Sequence, residues 1–302
     1  MMRALFVFTP AEAKRLIGKA VANLEEVKKA KDTGNILIGH GSTNVYVAEE
    51  ILGREKVCER FNRDAYLSGV TVKGTLCSTL GTEKPPILLI RRGAIEPPEA
   101  TMAEILRDFG RDSVFIKGAN AVDPEGNAAV FMAHPEGGTI GWAMGIILAR
   151  GIRLIVPVGR EKLIPSVKKA VTLCGQLTLD YCQGLKVGLF PLSGATVITE
   201  IEALKILAGV ESFQVASGGS SGSEGAVTLV AEGESPEIGK AIEIVESIKG
   251  EPPMMPRRAI CETCRVTSPA QQPMARQGAG SFPLCPYAGK KEDELPVYLR
   301  NR

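Results

Sequence analysis

Short apolar runs without polar alternation, each leading into a helix or a turn, are the feature that most limits the fold of this chain. One is ILI at 36–38, and others lie within PPILLIRRG (85–93), DSVFIKGANAVD (112–123) and IRLIVPVG (152–159). Such strands are buried on both faces, as in a parallel sheet covered by helices. The sequence therefore predicts an α/β fold with a mostly parallel sheet and helices on both faces.

Helix-start signals place the elements around this sheet. Thr9, Pro10 and Glu12 form a capping box with proline at the first helical position, which predicts a helix over about 9–30. Thr199 and Glu202 form a second box, which predicts a helix over 199–209.

From about residue 185 the pattern changes. A strand in 185–190, the helix 199–209, the strands VESFQVAS and AVTLVAEG, and a helix over 235–250 capped by Ser235 follow one another. This order is most of a ferredoxin-like α+β unit, and PVYLR at 296–300 is a candidate for its missing strand. We therefore expect an α/β ligand-binding domain (1–184), a ferredoxin-like lid (185–250) and a cysteine-containing tail (251–302).

Charge and composition exclude several functional classes. Lys plus Arg is 36 against 34 Asp plus Glu, and aromatic residues make up 5%, so nucleic acid and membrane are not expected partners. The apolar amino terminus turns polar after eight residues and has no cleavage site, which indicates a mature cytoplasmic protein. We also expect a homo-oligomer.

The turn GHGSTN at 39–44 follows a strand and opens a helix. Glycines at 39 and 41 let the backbone approach a ligand, and the amides of Ser42, Thr43 and Asn44 lack intrahelical partners. Such a helix end attracts anions, phosphate most readily, and the two hydroxyl groups add donors. The site residues predicted here are Gly39, Gly41, Ser42, Thr43 and Asn44. The alternative is a plain tight turn in which Ser42 is the N-cap.

Two later turns stand in similar positions. In KGANAVDPEGN (117–127), Lys117 can meet an anion, and Asn120 and Asp123 can bond ligand hydroxyl groups, although the segment DPEGN is equally typical of a simple turn.

In HPEGGTIG (134–141), a histidine and a carboxylate precede a donor-rich loop. The predicted ligand-binding residues of this loop are Gly137, Gly138 and Thr139. The chain has only two histidines. His40, His134 and Glu136 are therefore the acid–base candidates if the protein is an enzyme.

The order of these segments resembles the ribose-5-phosphate isomerase family. GHGSTNVYVAEEI is similar to its phosphate loop, IKGANAVDPEGN to its acidic turn, HPEGGTIG to its lysine-glycine-glycine segment, and GLFPLSGATV to the start of its α+β lid. The resemblance covers about residues 35–235. It implies the superfamily that also holds glucosamine-6-phosphate deaminases and coenzyme A transferases.

Departures from this family affect the chemistry. Lys117, Asn120 and Ala121 stand where the isomerases carry acidic residues for proton transfer, and Glu136 stands where they carry lysine. The glutamate that acts as general base has no clear counterpart here. The resemblance therefore implies the fold and the anion loop, and we expect no ribose-5-phosphate isomerase activity.

Three of the seven cysteines lie near the end of the chain. Cys261 and Cys264 have the C-x2-C spacing that lets two thiolates share a metal, and Cys285 is a further candidate ligand. Zinc or an iron–sulfur cluster needs a fourth ligand, for which Cys58, Cys77, Cys174, Cys182 or a second chain are candidates. The alternative is a reduced, metal-free pair.

Two functions remain open. The first is binding, with or without turnover, of a small phosphorylated or carboxylated metabolite, as in an isomerase- or transferase-like enzyme. The second is a non-catalytic ligand sensor or assembly protein that uses its tail to bind a metal or a partner.

Overall fold

The structure, a computed structural model, describes residues 1–97, 100–264 and 285–300. Its strands are β1 (Met2–Phe8), β2 (Asn35–Ile38), β3 (Gly69–Val72), β4 (Thr75–Ser78), β5 (Leu88–Arg91), β6 (Ala94–Glu96), β7 (Val114–Ile116), β8 (Ala121–Val122), β9 (Ala128–Met132), β10 (Arg153–Pro157), β11 (Gly188–Pro191), β12 (Thr196–Ile198), β13 (Glu211–Ser217) and β14 (Val227–Gly233). Its α-helices are α1 (Pro10–Asn23), α2 (Glu25–Thr33), α3 (Ser42–Leu52), α4 (Arg54–Arg60), α5 (Met102–Arg107), α6 (Gly138–Arg150), α7 (Val167–Leu173), α8 (Glu200–Ala208) and α9 (Ser235–Ile248).

A six-stranded sheet forms the centre of the molecule. Its strand order is β12-β10-β7-β2-β5-β6. The first four strands are parallel, and the hairpin β5–β6 extends the sheet in the antiparallel sense. The predicted α/β class and the mostly parallel sheet are therefore confirmed.

Both faces of this sheet are buried, which explains why its strands lack polar alternation. Ile36 and Ile38 of β2 pack into one core cluster together with α1 and α3, whereas Leu37 packs into a second cluster together with α5 and α6. Successive side chains of a strand point to opposite faces, so a strand covered on both sides must be apolar throughout.

A second sheet has three antiparallel strands in the order β1-β14-β13. The amino-terminal strand β1 supplies its third strand. The expectation that 296–300 adds a strand is wrong, because Val297–Leu299 forms a 3-10 helix. Strands β1 and β14 share one apolar core with α1, α8 and α9. The domain boundaries at 184 and 250 remain predictions.

Helix starts largely follow the capping signals. The capping boxes of Thr9 and Thr199 are both present. Ser235 is the first residue of α9 and not its cap, which is Glu234. The helix expected over 9–30 is divided at Leu24, whose backbone is extended. The division places two glutamates in the first turn of α2, where the helix dipole favours negative charge.

A buried ion network joins α1, α3 and the chain that follows α9. Arg15 pairs with Glu49 and, at 3.0 Å, with Glu251, while Arg63 pairs with Glu49 at 3.0 Å. Both guanidinium groups also lie over the ring of Tyr46, at 4.7 and 4.9 Å from its centre. Removing one member would leave buried charge without a partner, so the network makes these segments depend on one another.

Among the described residues, no helix combines the length and the apolar composition needed to span a membrane.

Candidate functional site

A cavity of about 740 Å³ opens where β2, β7 and β10 end. The three strands are parallel neighbours, so the segments that follow them meet at one edge of the sheet. These segments contribute His40, Lys117 and Lys162 to the wall. Residues of β3, β4 and β9 and the start of α6 complete it. The volume is typical of sites for small molecules.

The amino terminus of α3 faces this cavity. Ser42 and Thr43 are its first two residues, and both line the wall. The preceding residue is Gly41, and no side chain caps the helix, so the alternative in which Ser42 is the N-cap is wrong. The first amide groups therefore have no side-chain cap and carry the positive end of the helix dipole.

Asn44 holds this turn together from behind. It is fully buried, and its Nδ2 donates to the carbonyl of Gly39 at 2.6 Å. Neither residue lines the cavity, so they shape the predicted anion loop and do not face its contents. The Oδ1 atom of Asn44 has no hydrogen-bond partner among the described residues.

Three lysines line the cavity, and no Asp or Glu is among the described residues of its wall. Lys117 follows β7, Lys162 lies in the 3-10 helix Arg160–Lys162, and Lys84 lies on an exposed stretch before β5. Mutual repulsion of like charges is unfavourable in such an arrangement, and an anion between them would relieve it.

Lys117 is the most strongly affected of the three. Burial, assisted by the charges of Lys162 and Lys84, lowers its pKa from 10.5 to about 8. Among the described residues, its Nζ donates to the adjacent carbonyl of Gly118 alone, at 3.3 Å. The alkyl chain lies across Gly39, where an added Cβ would come within 2.8 Å of its Cδ. Gly39 thus gives Lys117 room to reach the cavity.

The charge of Lys162 has more favourable contacts than the charge of Lys117. The Nζ atom of Lys162 donates to the carbonyl of Ala119 at 3.1 Å and lies 3.8 Å from Glu161. The turn that carries it is fixed by Glu200, whose carboxyl group accepts from the backbone N–H of Arg160 at 2.9 Å. Partial desolvation lowers the pKa of Lys84 as well, while the residue as a whole is exposed at the rim.

His40 is poorly suited to acid–base catalysis. Its Nε2 lies 2.8 Å from the carbonyl of Pro85, which can only accept, so Nε2 carries the proton. Burial, with the nearby charge of Lys84, lowers its pKa to about 4. The ring is therefore neutral at pH 7, and its free Nδ1 is a weak base.

The loop 134–139 forms the outer part of the wall. His134, Gly137, Gly138 and Thr139 line the cavity, whereas Glu136 is exposed and does not. The Nδ1 atom of His134 accepts from the N–H of Glu136 at 3.2 Å, and its ring lies edge-on to Trp142. Of the three predicted catalytic residues, His40 and His134 therefore line the cavity and Glu136 does not.

Asp123 serves the turn and not the cavity. Its carboxylate accepts from the backbone N–H groups of Asn127 and Val167, both at 2.9 Å. Burial opposes ionisation, but these hydrogen bonds outweigh it and lower the pKa of Asp123. The simple-turn interpretation of DPEGN thus describes this residue better than ligand binding does. Asn120, from the same segment, does line the cavity.

The C-terminal cysteines lie against the wall formed by β4. Cys264 donates its N–H to the carbonyl of Cys261 at 3.1 Å, and Gly289, just after Cys285, donates to the same carbonyl at 2.7 Å. Cys77 lies in β4, and Ala259, two residues before Cys261, donates its N–H to the carbonyl of Ser78, the residue after Cys77, at 3.0 Å. Among the described residues, no three His, Cys, Asp or Glu side chains are arranged to hold a single metal ion.

The residues predicted from the sequence did not include two lysines of this region, Lys84 and Lys162, and Cys77 was only one of four cysteines considered as a fourth metal ligand. Lys162 lies three residues beyond the predicted strand 152–159, at the edge where ligands bind, so its position was the available signal. Lys84 precedes β5, and Cys77 lies in β4. Both segments reach the cavity through antiparallel strand pairing, and no pattern in their local sequence predicts that pairing.

Comparison with protein-family models, curated proteins and solved structures gives no match to this chain.

Proposed function

We propose that the cavity binds a small metabolite carrying a phosphate or paired carboxylate groups. The observation that carries this proposal is the convergence of Lys84, Lys117 and Lys162 on a wall whose described residues include no carboxylate. Taking such charges out of water without a counter-ion is costly, and the lowered pKa of Lys117 reflects that cost.

The geometry supports a specific orientation of the ligand. Its anionic group would lie at the start of α3, within reach of the Ser42 and Thr43 hydroxyl groups and the Lys117 ammonium. Apolar side chains, among them Val130, Ile140 and Val187, also line the cavity. We propose that the carbon skeleton of the ligand packs against them.

The resemblance to the ribose-5-phosphate isomerase superfamily is consistent with this proposal, and so is a ferredoxin-like lid formed with β13, β14, α8 and α9. We propose both as interpretations of the architecture. Proton abstraction from carbon of the isomerase type is not part of the proposal, because Asn120 and Ala121 stand in the places of the acidic residues. Cytoplasmic location and homo-oligomerisation remain predictions.

A second candidate function follows from Lys117. A desolvated amine with a pKa of about 8 is more nucleophilic at neutral pH than an ordinary lysine, so it is suited to forming a Schiff base with an anionic ketone or aldehyde. Borohydride treatment with dihydroxyacetone phosphate, followed by peptide mass spectrometry, tests this. A reduced adduct on Lys117 supports turnover, whereas ligand binding without an adduct supports the non-catalytic sensor.

Thermal shift with phosphate and with sulfate tests the binding proposal. Either anion should raise the melting temperature of the wild type, because a ligand that binds only the native state stabilises it. Ser42→Ala/Thr43→Ala and Lys117→Met should each reduce the gain. Lys240→Met, at an exposed position on α9, is the matched control and should leave the gain intact. Equal gains in all four proteins would contradict the proposal.

A further inference from the structure

Separate segments of the chain bring four of the seven cysteines to one place beside the cavity. Strand β4 carries Cys77. The chain after α9 runs antiparallel to the residues that follow β4. Thr79 and Arg258 form an antiparallel bridge, and Ala259 donates its N–H to the carbonyl of Ser78 at 3.0 Å. Cys261 is two residues further on, so backbone pairing fixes its position relative to β4.

The other two cysteines are held in place by the same kind of contact. The carbonyl of Cys261 accepts from the N–H of Cys264. It also accepts from the N–H of Gly289, the residue that ends the turn beginning at Cys285. Two compact turns, CETC and CPYAG, therefore face each other across one shared carbonyl.

Cys285 is buried, and Cys261 has a cationic donor beside it. Nη1 of Arg258 donates to the Cys261 sulfur at 3.1 Å. Hydrogen bonds of this kind stabilise negative charge on sulfur in metal centres. The buried side chains of Leu185, Leu295 and Leu299, among others, surround the group and limit the access of water.

The spacing of the four thiols distinguishes between kinds of metal centre. Tetrahedral zinc, with Zn–S distances of about 2.3 Å, requires sulfur atoms roughly 3.8 Å apart. Within the described residues no three potential ligands converge in this way. The pairing of Thr79 with Arg258 and the contacts of the Cys261 carbonyl nevertheless gather the four cysteines in one region. A cluster of several iron atoms holds its cysteine ligands further apart than a single zinc ion does.

We propose that Cys77, Cys261, Cys264 and Cys285 ligate an iron–sulfur cluster. Four thiolates are the usual ligand set for such clusters. Cys77 is the fourth ligand that the C-terminal pattern lacks, and it also lines the cavity, as do Leu76 and Leu185 beside it. The cluster would therefore border the cavity. This inference does not depend on the identity of the ligand that the cavity binds.

Metal and sulfide analysis of the full chain tests the proposal without any variant. Protein purified without oxygen, or reconstituted with iron and sulfide, should be brown, contain iron and acid-labile sulfide in about equal amounts, and bleach on exposure to air. Zinc at about one equivalent without iron would show a mononuclear site and overturn the proposal. Protein that holds no metal after reconstitution would overturn it as well.

Single substitutions test the ligand assignment. Cys77→Ala should lose the cluster as completely as Cys261→Ala does, whereas Cys58→Ala, at an exposed position, should retain it. Circular dichroism confirms that each variant is folded before its iron is measured. A folded Cys77→Ala protein with the wild-type iron content and visible spectrum would refute the role of Cys77. Sulfate binding by the same variants is measured separately, so failure of the cluster and failure of the anion site are distinguishable.

Discussion

Replacing Lys117 by methionine should stabilise the protein when no anion is present. Methionine keeps most of the side-chain length and removes the charge. The pKa of Lys117 is about 8 in the folded protein and 10.5 ordinarily. Since a tenfold difference in proton affinity corresponds to about 1.4 kcal/mol, burial of the charged form costs up to about 3 kcal/mol. Relaxation and water entry reduce this, so we expect a gain of about 1–2 kcal/mol.

The pH dependence of this gain identifies its cause. Below pH 8 the lysine is charged in the folded and unfolded states, and the full cost is present. As the pH rises from 8 to 10.5, the folded state releases its proton first and the cost declines; above 10.5 it disappears. The difference in stability between Lys117→Met and wild type should therefore be largest at pH 7 and shrink towards pH 10.

Urea unfolding of both proteins from pH 7 to pH 10, in buffers free of phosphate and sulfate, measures this difference. At pH 7 the variant should also melt about 2–6 °C higher than the wild type. Lys240→Met is the control and should change neither quantity. A variant less stable than the wild type at pH 7, or a gain that does not vary with pH, would refute the argument that Lys117 is a strained cation.

Four further substitutions, of which Gly239→Ala is a control, test the scaffold by urea or thermal unfolding. Gly34→Ala should cost about 1–3 kcal/mol, since the added Cβ would collide with the carbonyl oxygen of Asp112. Gly239→Ala, with open space in α9, should leave stability unchanged or raise it by up to about 1 kcal/mol. Equal effects of the two substitutions would contradict this packing. Glu49→Gln should cost about 3–5 kcal/mol because it leaves the buried Arg15 and the partly buried Arg63 short of a partner. A loss below about 1 kcal/mol would show that the network is dispensable. Tyr66→Phe should cost about 1–3 kcal/mol, as its hydroxyl bridges β2 and the start of β5 at 2.6 and 2.7 Å, and unchanged stability would show that water replaces it.

Local patterns in the sequence predicted the parts of the fold that depend on local physics. The uninterrupted apolar run 36–38 indicated a strand covered on both faces, and the capping boxes of Thr9 and Thr199 marked two helix starts. The pairing of β1 with β14 joins residues more than 200 positions apart, and nothing in the first eight residues specifies that partner. The role of 296–300 was misjudged for the same reason.

In the candidate site, too, the sequence predicted the features that depend on neighbouring residues and not those that depend on long-range pairing. The turn 39–44 was identified because a strand, glycines and a helix start are adjacent in sequence. The positive charge of the cavity was not predicted, because it is the order of the strands in the sheet that brings Lys84 and Lys162 to the same wall as Lys117. Similarly, three cysteines near the end of the chain suggested a metal, but the proposed fourth ligand, Cys77, is brought in by the pairing of residues 79 and 258.

Sulfate affinity as a function of pH tests the central claim most directly, because sulfate keeps its charge throughout the range. Isothermal titration of the wild type should show saturable binding at pH 7, with the dissociation constant rising by up to about tenfold for each pH unit above 8 as Lys117 loses its proton. Lys117→Met should bind more weakly and lose most of this pH dependence. Absence of saturable binding by the wild type, or an affinity equal at pH 7 and pH 10, would contradict an anion site built around Lys117.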